Sequence, residues 1–381
     1  MSLKTIRRIV TANDPQGRSA VRWEGPAPGQ HENAQFAGRG HTDFWVWRQT
    51  PQPLAGDVDT GLWADEFPGP REGGHLRVVH WLPGNDVPVV KPHAPKPSAD
   101  GRSWDRGGGN NCSISDMHKT ESVDFGIVLH GERGLVLDDY ETVIRPGDIV
   151  VQVGAWHLWD SSRVGCHMAF DMISADFGPG RDGVQQGDAQ PLQPPAGLQL
   201  PAGVRPQRRI VTIDREPGRS SLVIDGASPD VRLDASRPGF ALQRMWVVEG
   251  HPAPIVPETL RLPHVLVPPA NGTVLNVMTI PPDANWRGRA SEVAARAWFE
   301  SIGAGSVATC GSIPGNPYSK QSSTVDFLVV TEGELTLLLD TGETRLAAGE
   351  IAVVRGGNYA LGNASDRPAV VAVASHDAVQ E

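Results

Sequence analysis

The chain has 381 residues, 39% of them hydrophobic, longer than the range over which one core keeps growing, so two domains with sizeable cores are expected. Against 34 Lys and Arg stand 44 Asp and Glu, a net charge of -10, and no basic cluster interrupts them, which argues against nucleic acid and anionic membrane surfaces as partners. The N-terminus lacks the apolar segment of a signal peptide and the longest apolar run, around "IVVQVGAWHLW", is short of the ~20 residues a membrane span needs, so a soluble, cytoplasmic protein is expected.

Gly 43 and Pro 33 are both plentiful while long helical periodicity is scarce, which predicts short strands joined by turns and an all-β fold class. Taken in chain order, the first element is "RRIVTANDPQGRSAVRWEG" from Arg7, and it returns as "RRIVTIDREPGRSSLVIDG" from Arg208, a shift of 201 residues. "WVWR" from Trp45 lies over "WVVE" from Trp246 at the same shift. At 202, "SVDFGIVLHGERGLVLDDYET" from Ser122 lies over "TVDFLVVTEGELTLLLDTGET" from Thr324. So constant a shift predicts an internal duplication.

Within the first copy, "DFGIVLHG", "GLVLDD", "DIVVQVG" and "CHMAFDMI" read as strands; "DFLVVTEG", "LTLLLD", "EIAVVRG" and "AVVAVAS" do so in the second. The Pro-, Gly- and Gln-rich stretch between the copies reads as a linker, which sets expected domains at 1–178 and 207–381 with the linker at 179–206. One helix is predicted, "SEVAARAWFESIG", with Ser291 as N-cap and Gly303 as its stop. In the first copy "KPHAPKPSADGRSWDRGGGNN" stands instead, either a lid over an entrance or a plain surface insertion.

Chemistry concentrates at "DMHKTESVDFGIVLHGERG", residues 116–134. Strand alternation puts His118, Thr120, Ser122 and Asp124 on one face and Lys119, Glu121 and Val123 on the other, leaving Glu121 solvated or interfacial. Further on, "RPGDIVVQVGAWHLWD" supplies a turn, a strand, a second turn at Gly154, and then His157 between Trp156 and Trp159. The three cysteines, Cys112, Cys166 and Cys310, are too few and scattered for a disulfide framework or thiolate zinc site. Any metal must therefore be held by His and carboxylate.

These two stretches resemble the paired motifs of the cupin superfamily. The first motif reads His118-x-Thr120, three residues, Asp124, six residues, Gly131; the second reads Gly147, Gln152-x-Gly154, two residues, His157. The resemblance implies two tandem cupin-type, jelly-roll-like β-barrels in one chain, a bicupin, and a divalent metal held by His118, Asp124 and His157. Thr120 stands where a second histidine would, and Asp124 is one methylene shorter than the usual Glu, so direct and water-mediated metal contact are both open.

Two imidazoles and one carboxylate with open positions suit Fe(II); Mn, Ni and Zn are also admissible. At the 202 shift His118 becomes Lys320, Thr120 becomes Ser322, Asp124 becomes Asp326 and His157 becomes Tyr359, so the second barrel is expected to carry a degenerate, metal-free site with a Lys320–Asp326 ion pair. Trp45, Trp47, Trp156 and Trp159 are candidate walls of an aromatic pocket over the metal, or else core. His130 and His167 read as barrel residues, and His80 as a weaker ligand candidate. No Walker loop, dinucleotide fingerprint or serine nucleophile elbow is present.

The leading expectation is an Fe(II) dioxygenase-type oxidoreductase acting on a small aromatic or carboxylated compound at the first barrel. Its alternatives are a redox-neutral metal-dependent lyase or isomerase and a non-catalytic bicupin that binds a small molecule. Cupin barrels pair edge to edge, and an internal duplication can supply that pairing within one chain, so monomer and homodimer are both expected.

Overall fold

The computed structural model describes residues 3–34, 37–83, 90–108, 116–160, 164–178, 182–184 and 190–380. It is built of strands, with one α-helix, Glu292–Ser301, among the described residues. Ser291 caps that helix by accepting from the Ala294 N–H, and Gly303, at φ 66°, lies just past its end, as predicted. No helix among the described residues is long and apolar enough to cross a membrane.

Two large sheets carry the fold. In the first, the strand Ser122–Gly131 lies between Ile149–Val153 and Cys166–Ser174, and the sheet continues through Gly74–Trp81, Gly40–Trp47 and Gly29–Glu32. In the second, Thr324–Glu332 lies between Ile351–Arg355 and Ala369–Val379, continuing through Thr273–Ile280, Ala241–Val248 and Asp230–Leu233. Each has a three-stranded companion, formed by Arg133–Val136, Glu141–Ile144 and Leu158–Asp160 in the first half and by Glu334–Leu339, Gly342–Ala347 and Tyr359–Gly362 in the second. A large sheet facing a small one is a jelly-roll-like arrangement, open rather than fully closed.

The sheets do not divide at the linker. The hairpin formed by Arg7–Asn13 and Ser19–Pro26 joins the second sheet, Arg8 lying parallel to Ile351, and the hairpin formed by Arg208–Glu216 and Arg219–Ala227 joins the first, Arg209 lying parallel to Ile149. Each half lends its opening hairpin to the other. The repeated Arg-Arg pair spans the exchange: Arg7 binds Glu350 at 2.7 Å and Arg208 binds Asp148 at 2.9 Å, both across the halves. Arg8 and Arg209 turn back to Asp59 and Glu258 of their own halves.

The exchange explains why the central strands do not alternate. All five residues of Ile149–Val153 are buried, because Val150 packs inside the first jelly roll while Ile149, Val151 and Val153 pack between the two large sheets; a strand covered on both faces reads as a continuous apolar run. The core between the sheets draws on both halves, joining Phe44, Phe125 and Val151 to Val211, Trp246, Phe327 and Val353.

Candidate functional site

His118 lies on the short strand His118–Thr120, and His157 on the turn after Ile149–Val153. Their backbones exchange two hydrogen bonds, each 2.9 Å, which brings the imidazoles to 4.3 Å between centroids. His118 Nδ1 lies 2.7 Å from the Asp116 carbonyl and His157 Nδ1 lies 2.9 Å from the Ala155 carbonyl. A carbonyl only accepts, so each Nδ1 carries the proton and each Nε2 keeps a lone pair, as a metal-binding imidazole requires. Burial lowers both pKa values, that of His157 far below the ordinary range, and both rings are neutral at pH 7.

Asp124 shares their cavity. Burial pushes its carboxyl up to about 7 against the opposing hydrogen bonds of Ser122 and Thr120, and Asp171 adds to the rise. Its Oδ1 is buried without a hydrogen-bond partner, which is costly unless something fills the position. Thr120 lines the cavity; Ser122 stands behind it, its hydroxyl 2.7 Å from that of Thr120. The cavity measures about 340 Å³, with an apolar wall of Val79, Trp81, Trp159, Phe170 and Met172.

The sequence reading missed the polar side of this cavity, formed by His41, Asp65 and Arg77. Arg77 donates to Asp43 and Asp65 at 2.9 Å each, and His41 lies 3.2 Å from Asp65. The hydrogen bond from His41, with the charge of Arg77, holds Asp65 well below the usual carboxylate range despite partial burial. Alternation along "GHTDFWVW" and "GHLRVVHW" could have grouped His41 and Asp43 with Arg77, Val79 and Trp81, but these strands precede the motif segments.

Among the described residues, the His, Asp and Glu group whose ligand atoms all lie within 4.8 Å of one another is His31, His41 and Asp65; His118, Asp124 and His157 are not in it. In the first group Asp65 is already bound by Arg77, with which a cation there would have to share it. The second offers two unprotonated nitrogens and one orphaned carboxylate oxygen to a single cavity, with more space between its donors.

Three sequence expectations are corrected. Trp45 and Trp47 do not cover His118: a register shift between Asp43 and Trp45 accompanies their turn toward the core between the sheets, and they line a different cavity. Trp156 also stays out of the His118 cavity; its ring lies under the Arg106 guanidinium, 4.7 Å from the centroid, and its backbone N–H donates to Asp214 at 3.0 Å. Glu121 is buried rather than solvated, 3.6 Å from Arg102.

His80 faces away from the cavity, against Thr42 at 3.3 Å and the ring of His167, whose other neighbour is His130. The insertion before His118 is a hairpin, Lys96–Pro97 with Ser103–Asp105, paired to His118–Thr120. Residues 109–115 of it, with Cys112, lie outside the described residues.

The second half reproduces the backbone without the imidazoles. Lys320 and Tyr359 exchange the same two 2.9 Å backbone hydrogen bonds, and their side chains both donate to Asp326 Oδ2, at 2.8 and 2.6 Å. Ser322 lies 3.3 Å from the Lys320 ammonium. Burial pushes the Asp326 carboxyl up, but Lys320 and the Tyr359 hydroxyl outweigh it and its pKa falls. Trp298, Phe299 and Ile302 of the helical segment fill the interior, leaving about 50 Å³.

No family model matches the chain. Over 44 residues it is 54% identical to phomopsin biosynthesis cluster protein C' of Diaporthe leptostromiformis, 11% of this chain and 23% of that protein. Over 161 residues it is 26% identical to the cupin-domain-containing oxidoreductase fogC of Aspergillus ruber, 41% of this chain and 64% of that protein. The chain thus spans less than two thirds of these relatives. Among solved structures it is similar to quercetin 2,3-dioxygenase from Acinetobacter baumannii, at 12% identity, covering 80% of this chain and 74% of that one, with a TM-score of 0.32.

Proposed function

We propose that the chain is a bicupin, two cupin barrels descended from an internal duplication, and that it is a metal-dependent oxidoreductase working at the first barrel alone. The observation that carries this reading is the pair of Nε2 lone pairs on His118 and His157, facing one cavity with the orphaned Oδ1 of Asp124. The identity to a cupin-domain-containing oxidoreductase supports it.

His118 and His157 would hold the ion, with Asp124 as the third group. A redox-capable divalent metal such as Fe(II) would supply activation of O2 in a dioxygenase-type reaction. The chain's own contribution is positional. Carbonyls of Asp116 and Ala155 fix both imidazoles, Trp81, Trp159 and Phe170 exclude water beside them, and the polar side at His41, Asp65 and Arg77 supplies hydrogen-bond partners for a small aromatic or carboxylated substrate.

The test is metal content by mass spectrometry on the untagged protein, with oxygen consumption on aromatic acids. About one ion per chain, lost in His157→Ala, with oxygen-dependent turnover, is the expected result. Metal with oxygen-independent turnover selects a redox-neutral lyase or isomerase. No metal after anaerobic reconstitution leaves a small-molecule-binding bicupin.

A further inference from the structure

The cavity that receives Trp45 and Trp47 is separate from the His118 cavity and has a composition of its own. It measures about 280 Å³, and Trp45, Trp47 and Trp63 supply aromatic walls. Two buried polar side chains, Gln52 and Arg355, also line it. Gln52 uses its oxygen to accept from Trp45 Nε1 at 3.1 Å, and its Nε2 is left without a partner. Arg355, from the second half, spends its terminal nitrogens on the carbonyls of Leu54, Ala55 and Gly56, and its Nε is likewise unpartnered.

Gln52 is 1% exposed and Arg355 4%. Arg355 makes no ion pair among the described residues, and its guanidinium lies 5.3 Å from the Trp45 ring centroid. Arg48, also in the lining, stacks 4.8 Å from the Trp63 ring centroid and reaches Glu66 at the rim. No carboxylate lines the cavity.

A buried guanidinium whose carboxylate influence, from Asp57, comes from beyond ion-pair distance, next to a buried unpaired amide donor, is unfavourable in an empty site. An anionic acceptor would relieve both, through charge-assisted hydrogen bonds from Arg355 Nε and Gln52 Nε2. Three tryptophans in the lining favour a flat, aromatic partner, which gains ring contacts in addition to area burial. We propose that this cavity is a second binding site, for a small planar carboxylate such as an aromatic acid, independent of the His118 centre.

The probe is benzoate, titrated calorimetrically into the metal-free protein, with benzyl alcohol as the uncharged control. Benzoate is expected to bind at one site per chain, more tightly than benzyl alcohol, and equally in His157→Ala. Affinity should fall by about tenfold or more in Gln52→Leu and in Arg355→Gln. Trp63→Leu, at the partly exposed wall, carries the same expectation and decides the matter if either interior variant fails to fold. The proposal is overturned if wild-type protein does not bind benzoate at millimolar concentration, if the folded cavity variants bind it as wild type does, or if His157→Ala abolishes binding.

Discussion

Asp214 and Lys119 form a buried ion pair at 2.7 Å between the two halves of the chain. The other oxygen of Asp214 accepts the Trp156 backbone N–H at 3.0 Å, so one carboxylate on the lent hairpin holds the immediate neighbours of both His118 and His157. At the matching positions of the other site, the repeat puts Asn13 for Asp214, Gln321 for Lys119 and Asn358 for Trp156. The charged clamp accompanies the imidazoles and is absent where they are absent.

Asp214→Asn leaves the Lys119 ammonium buried without its counter-charge and should destabilise the protein by about 3–5 kcal/mol. The double change Lys119→Met with Asp214→Leu removes both charges and should cost less than Asp214→Asn alone. Urea unfolding of the three proteins measures this, and metal content after reconstitution should fall in Asp214→Asn as the two imidazoles lose their spacing. A double variant less stable than Asp214→Asn would contradict the argument.

Lys320→Met provides the contrast. It leaves the buried Asp326 with only the neutral hydroxyls of Tyr359 and Ser375, and about 3–5 kcal/mol of stability should be lost for the same reason. Metal content should not change, because the cavity at Lys320 and Tyr359 presents no imidazole. Loss of the ion in Lys320→Met would show that metal is held in the second half.

The histidine row on the outer face sets an acid limit. Burial chiefly, with the nearby His167, lowers the His80 pKa to about 3; burial and Lys4 lower that of His167 to about 4. The unfolded chain titrates these rings near 6.5, so it binds more protons than the folded protein between those values. Their stabilising contribution is complete above pH 6.5 and is lost as pH falls toward 4. At pH 5, His80 alone should account for about 2 kcal/mol, and His80→Asn should flatten that part of a urea-midpoint profile. An unchanged slope would remove His80 from the account.

Trp298 is the largest side chain that the helix places inside the second half. Trp298→Ala should cost about 3–5 kcal/mol and enlarge the small cavity beside Lys320 and Tyr359. Unfolding measurements read the cost, and a crystal structure of the variant would show the space. A cost below about 1 kcal/mol would mean that the helix is held mainly from outside.

The strands around His118, the helix from Ser291 and the grouping of His118, Thr120 and Asp124 on one face were legible because each rests on short-range rules: period-two alternation, an N-cap, a glycine stop. Trp45 and Trp47 defeated the same rule through a register shift two residues upstream. Arg77 and Asp65 reach the cavity from parts of the chain with no motif of their own. The hairpin exchange could not be read at all, since "RRIVTANDP" and "RRIVTIDRE" fit either sheet by pattern, and only distant partners such as Glu350 and Asp148 settle which.

That exchange orders events during synthesis. Arg7 finds Glu350 at a separation of 343 residues, so its hairpin must wait for the strand Ile351–Arg355 to be made. At 5–20 residues per second the delay is roughly 17–70 s, during which the apolar face of the hairpin has no sheet to cover it. A ribosome-bound nascent chain therefore carries an uncovered, sticky hairpin until Ile351–Arg355 emerges.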